Sequence, residues 1–172
     1  LEAMNEGQVS IDGKTHKLAQ PFFVIATQNP FEFEGTYFLP ESQLDRFLMR
    51  LHLGYPSAED EARVLDIEPA RTKLGEISPV MTATDLLELQ ALVHQVRVDP
   101  ALIEYIVRLA TATRTNDQLQ VGVSPRGSLA LINAAKATAV LQQRDYVVPD
   151  DILSNVLPVF AQTFTGRIEV TA

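Results

Sequence analysis

Two hydrophobic periods divide this chain near residue 55. Before that point apolar residues alternate or run continuously; after it they recur at helical spacing. Gln8 to Leu18 alternates around Asp12-Gly13, a favoured two-residue turn, and predicts a β-hairpin. Phe22-Phe23-Val24-Ile25-Ala26-Thr27 is a continuous, partly β-branched apolar run, the pattern of a strand buried on both faces of a parallel sheet. Its carboxyl end delivers Gln28-Asn29-Pro30. A loop over 31–39, a short polar helix over about 41–46 and a second strand over about 47–53 follow.

Tyr55-Pro56-Ser57 marks a domain boundary, which divides the chain into 1–55 and 56–172. The second part predicts five helices. The first starts at Ser57 and stops near Ile67. The second spans about 85–96, with Leu86, Leu89, Val93 and Val96 on one face. The third starts at Asp99-Pro100 and buries Ile103, Ile106, Val107 and Ala110. The fourth starts at Ser124-Pro125 and carries Leu129, Ile132, Ala135 and Ala139. The fifth starts near Pro149 and uses Ile152, Val156, Val159 and Phe160, with Pro158 able to kink or shorten it. Tyr146-Val147-Val148 is a short extended piece. The fold class is therefore mainly α: a hairpin and two strands of a parallel sheet, then an all-α bundle. Two buried strands cannot make a complete sheet, so partner strands are expected upstream or on another chain. Leu1-Glu2-Ala3-Met4 reads as the middle of a helix, which hints at a piece of a longer protein.

Charge narrows the function classes. Asp plus Glu number 22 against 14 Lys plus Arg, a formal net charge of −8, which argues against a broad footprint for nucleic acid. The chain has no cysteine, which excludes a disulfide framework and a thiolate metal site and suits the cytoplasm. The longest apolar stretch, Leu129 to Leu141, is too short to span a bilayer and is broken by Asn133 and Lys136. His16, His52 and His94 share no metal-ligand spacing, so no metal site is expected. Glu32, Glu34 and Glu41 read as a solvated loop face, and Lys14 and Lys17 at the hairpin are too few for a basic patch.

Arg126 is the odd residue. Other helix starts carry carboxylates: Asp60 and Glu61 after Ser57, Asp85 after Thr82, Asp150 and Asp151 after Pro149. The start at Ser124-Pro125 carries arginine and no carboxylate. A guanidinium beside free N–H groups suits an external anion such as a phosphate; alternatively, Arg126 pairs with a carboxylate elsewhere in the fold. Asn29, just past a buried strand, can orient a water or touch a phosphate oxygen, or simply form the turn before Pro30. Arg46, between core-facing Leu44 and Phe47, can reach a neighbouring subunit's nucleotide or form a local pair with Asp45 or Glu41.

Taken in order, these segments resemble the MoxR family of AAA+ ATPases. Residues 22–30 are similar to its sensor 1 strand. Glu34-Gly35-Thr36-Tyr37 and Leu39-Pro40-Glu41-Ser42-Gln43-Leu44-Asp45-Arg46-Phe47 resemble the signature that carries its arginine finger. Gly54-Tyr55-Pro56 resembles the entry to the lid, Gly122-Val123-Ser124-Pro125-Arg126 the sensor 2 helix, and Arg144 to Val147 with Pro149-Asp150-Asp151 the last helical segment. The hairpin resembles the pre-sensor hairpin of this branch. The resemblance implies that 1–55 ends an AAA+ α/β core and that 56–172 is its all-α lid. It implies Asn29 as sensor 1 positioning the attacking water, Arg46 as the finger acting on the adjacent subunit, and Arg126 as sensor 2. It further implies ATP and Mg2+ in the complete protein, a ring (a hexamer), and chaperone-like work on a client protein, with von Willebrand A domain proteins as partners.

There are two departures. No Gly-x-x-x-x-Gly-Lys-Ser/Thr loop or acidic magnesium-holding strand end is present, so the fragment by itself is expected to bind no nucleotide and to be inactive. Gln162-Thr163-Phe164 stands where many relatives carry a His-Arg pair. Two competing expectations are a non-enzymatic lid-like module that docks on a separate ATPase, and part of a nucleic-acid motor.

Overall fold

The computed structural model describes residues 2–27, 40–67, 77–119 and 121–161. Their elements are α1 (Glu2–Glu6), β1 (Gln8–Ile11), β2 (Lys14–Lys17), α2 (Glu41–Leu44), α3 (Ala58–Ile67), α4 (Ala83–Gln95), α5 (Pro100–Arg114), α6 (Pro125–Leu141) and α7 (Pro149–Phe160). The chain is mainly helical, as its pattern predicts.

The hairpin forms as read. Ile11 pairs with Lys14 across the turn, and both central residues have positive φ, 50° at Asp12 and 74° at Gly13. That is the primed turn whose twist matches the flanking strands. Ser10 donates to the Glu2 carboxylate from its backbone N–H at 3.0 Å and from Oγ at 2.7 Å, which fastens α1 to β1.

The two other expected strands are not formed. Among the described residues the sheet holds only β1 and β2. The apolar runs 22–27 and 47–53 carry no ladder, and Ile25 is 80% and Leu53 99% exposed. A strand satisfies its backbone only through neighbours, and the described chain supplies none.

The helix starts follow their caps. Thr82 and Asp85 form a reciprocal box at α4: Asp85 N–H donates to Thr82 Oγ1 at 3.2 Å, and Thr82 N–H to Asp85 Oδ2 at 2.7 Å. The Thr82 backbone N–H and then the Thr82 hydroxyl hold the Asp85 carboxyl below the usual carboxylate range. Asp99 caps α5 and Ser124 caps α6, each with proline at the first helical position. The far end of α6 closes through Gln143 in the left-handed region, with Arg144 N–H donating to Ala139 O at 2.8 Å and Gln143 N–H to Val140 O at 2.9 Å. Pro158 lies in the last turn of α7, where it leaves the helix running to Phe160.

The core lies between α4, α5, α6 and α7, with α6 packed on the other three. Phe160, Leu131, Ile152 and Val123 are its largest fully buried side chains. The expected faces of α4 and α7 hold. On α5 the stripe is rotated: Ile106 and Ala110 are buried and Leu102, Tyr105 and Leu109 pack beside them, while Ile103 and Val107 face solvent. On α6 Leu131 and Ala134 are buried, and Leu129, expected inside, is 64% exposed. Both helices carry apolar residues on more than one side, so neighbour placement selects the stripe. Behind the bundle, Arg97 N–H donates to Asp145 O at 2.9 Å and Val147 N–H to Arg97 O at 3.0 Å. These bonds make the extended piece over 146–148 a parallel bridge that buries Val147.

Candidate functional site

The start of α6 is built by close approach. Gly122 lies so near α5 that a β-carbon there would sit 2.5 Å from Arg114 Cα. Val123 is buried and clamped at both backbone groups: its N–H donates to Thr113 Oγ1 at 3.0 Å, and Arg114 Nε donates to its carbonyl at 2.8 Å. Gly127, one turn on, has its would-be β-carbon 2.8 Å from Val123 Cγ1, so only glycine lets the helix close over that side chain. Ser124 Oγ accepts from Gly127 N–H at 3.1 Å. The segment 122–127 is thus a rigid cap that presents Arg126 on its exposed side.

A second segment meets it. The turn after α2 is closed by Arg46 N–H donating to Gln43 O at 3.2 Å and Phe47 N–H to Leu44 O at 3.0 Å. Ser124 Oγ then donates to Asp45 Oδ1 at 2.7 Å. The result is a recess of about 240 Å³ whose lining includes Asp45, Arg46, Arg126, Ala130, Asn133 and Val159. Pockets for whole drug-sized ligands run to roughly 300–1,000 Å³, so this recess holds part of such a ligand rather than all of it. The two arginines read as candidates from distant parts of the sequence therefore line one recess. Asn29 lies outside the described residues.

The carboxylate missing from the first turn of α6 is supplied by the tertiary fold. Asp45 stands at the N-cap, 79 positions earlier in the chain than Ser124. A carboxylate at that positive helix end is favourable. Sequence reading placed Asp45 only as a local partner of Arg46, and it missed Thr113, Arg114, Gly122 and Gly127. The glycines on either side of Val123-Ser124-Pro125-Arg126 were the available signal, since two glycines flanking a helix start mark a close backbone approach.

Away from the recess, Asp151 is the one buried charged residue among those described. Arg144 grips it through two bonds, Nη1 to Oδ2 at 2.8 Å and Nη2 to Oδ1 at 2.6 Å, and Val148 N–H adds a third at 2.9 Å. The Arg144 bonds, then the Val148 N–H, hold the Asp151 carboxyl below the usual carboxylate range, against the opposing effect of burial. This clamp fixes the α6–α7 connection. His16, His52 and His94 are exposed and lie in separate segments, and no group of three or more metal-binding side chains occurs among the described residues. No described helix is long and apolar enough to cross a membrane.

The comparisons follow this anatomy. Residues 1–49 match the profile of the ATPase family associated with various cellular activities (AAA), and residues 111–162 that of the AAA lid domain. The uncharacterised protein YeaC of Bacillus subtilis is 53% identical over 152 residues, covering 88% of this chain and 48% of its own length. Chaperone MoxR1 of Mycobacterium tuberculosis is 42% identical over 170 residues, covering 92% of this chain and 44% of its own. A crystallised candidate ATPase from Cytophaga hutchinsonii superposes with a TM-score of 0.84 at 35% identity, over 98% of this chain and 54% of that one. The matched parts are those of an AAA ATPase and its lid. The chain belongs to the MoxR-type AAA+ ATPases and corresponds to their C-terminal portion. It spans about half the length of the curated relatives it matches.

Proposed function

We propose that this chain is the arginine-finger and lid portion of a cytoplasmic AAA+ ATPase that hydrolyses MgATP in a ring, a hexamer, to remodel or mature a client protein. Residues 1–55 end the nucleotide-binding domain and 56–172 are the lid. The observation that carries this reading is the shared recess: Arg46 and Arg126 come from two separately matched regions, yet line one recess.

In hydrolysis a water attacks the γ-phosphorus, the bond to the β-phosphate oxygen breaks, and ADP and phosphate leave. The work is positioning and charge stabilisation. Arg46 donates to the γ-phosphate held by the adjacent subunit and stabilises the charge that spreads over its equatorial oxygens. Arg126, at the rigid start of α6, binds a phosphate oxygen and ties lid position to nucleotide state. Asn29 holds the attacking water. The triphosphate and its metal ion would be held by a phosphate-binding half whose motifs this sequence lacks, so the 172-residue chain by itself is expected to show no turnover above a buffer blank. Von Willebrand A domain proteins are the partner class we would test first for client delivery.

The test is steady-state ATP turnover of the full-length ring. Arg46→Ala lowers kcat by about 10³-fold, the scale of arginine-finger loss. Full activity in that variant would move the finger elsewhere.

A further inference from the structure

The arginine proposed as the finger is bracketed by two tethers to the lid. On one side Asp45 Oδ1 accepts from Ser124 Oγ at 2.7 Å, and that contact is partly buried. On the other, Arg50 N–H donates to Pro158 O at 2.8 Å, and Met49 packs against the lid core. Pro158 lies in the last turn of α7, where end carbonyls need donors from outside the helix, and Arg50 supplies one. Ser124 serves two ends at once. Its oxygen caps α6 by accepting from Gly127 N–H at 3.1 Å, and its hydroxyl proton goes to Asp45.

We propose that Asp45 is a positioning residue for Arg46: its hydrogen bond to the N-cap Ser124 locks the finger turn onto the sensor 2 helix, so the two arginines reach their phosphate as one unit. This rests on the functional reading of Arg46 given above. Asp45 itself touches no reacting atom. It holds the turn closed by Arg46 N–H against a helix start that is itself immobilised by Thr113 and Arg114. Loss of the bond frees the finger turn relative to α6 without removing either guanidinium. A shift of about 1 Å in a catalytic group is enough to lower a rate by up to about 10²-fold.

The experiment measures kcat and KM for ATP in the full-length ring, for Asp45→Ala and Asp45→Asn, each with Arg46 intact and with Arg46→Ala. Asp45→Ala is expected to lower kcat about 10-fold or more with KM nearly unchanged. Asp45→Asn keeps the acceptor oxygen and restores most of the rate. In the Arg46→Ala background Asp45→Ala has no further effect, because the two act as a unit. Undiminished kcat in Asp45→Ala, or the same proportional loss in both backgrounds, overturns the proposal, since a merely structural role lowers both alike. Ser124 offers a second route should Asp45→Ala fail to assemble. Ser124→Thr keeps both cap and donor, whereas Ser124→Asp keeps the cap, loses the donor and sets two carboxylates together. Thr is expected near wild type and Asp as low as Asp45→Ala; equal rates in the two overturn the proposal. Full turnover in Arg46→Ala alone would show instead that the reading of Arg46 is at fault, and the inference would fall with it.

Discussion

The run Phe22 to Thr27 and the helix α6 are both dense in apolar residues, yet only one of them is buried. In α6 Leu131, Ala135 and Ala139 are fully enclosed, whereas Phe23 is 69% exposed and Ile25 more so. The difference lies in the backbone. A helix completes its own hydrogen bonds and needs a neighbour only for its apolar stripe, which α4, α5 and α7 provide. A strand needs partners for both backbone and side chains, and the described residues offer neither. Apolar content reports what a segment requires, and burial reports whether the requirement is met.

The comparison can be broken most sharply at Leu131. Leu131→Ala should destabilise the bundle by about 2–5 kcal/mol in chemical denaturation, because the site is fully enclosed by α6 and its neighbours. A smaller loss would mean the core collapses around the cavity. Arg144→Ala comes next, since it leaves the buried Asp151 carboxylate without its charge partner and with only the Val148 N–H bond. The sign with pH follows from the lowered Asp151 value. The clamp contributes above the unfolded carboxylate pKa of about 3.9 and is lost as pH falls through the lower folded value. Thermal melts of wild type and Arg144→Ala should therefore differ at neutral pH and converge in strong acid; a constant gap down to the lowest pH would refute the assignment. Gly122→Ala should cost about 1–3 kcal/mol through its clash with the α5 backbone, with helical content retained. The smallest effect belongs to the exposed run. Phe23→Ala should change the stability of this chain by no more than about 0.5 kcal/mol. The same substitution in the full-length protein should cost several times more if partner strands cover the run there, and equal losses in the two would remove the parallel-sheet reading of residues 22–27.

Legibility tracks how local each interaction is. The starts of α4, α5 and α6 were readable because Thr82, Asp99 and Ser124 act within three residues of themselves, and the hairpin because Asp12-Gly13 sets its own turn. The inward faces of α5 and α6 were only half readable. Ile103, Val107 and Leu129 have the right spacing for a core stripe, but the neighbours lie on the other side. At the candidate site, Arg46 and Arg126 were both singled out from local pattern and family resemblance, while their convergence on one recess was invisible.

By itself, then, the sequence determined the helices, their caps, the hairpin and the residue types available for phosphate chemistry, because those depend on neighbours a few positions away. The tertiary structure alone decided which apolar stripe is buried and that Asp45 stands at the cap of α6. It also decided that Val123 is pinned by Thr113 and Arg114 and that two arginines face one cavity. Those outcomes depend on contacts between segments far apart in the chain. Such contacts form only when packing supplies enough buried surface to offset the entropy of closing the loops between them.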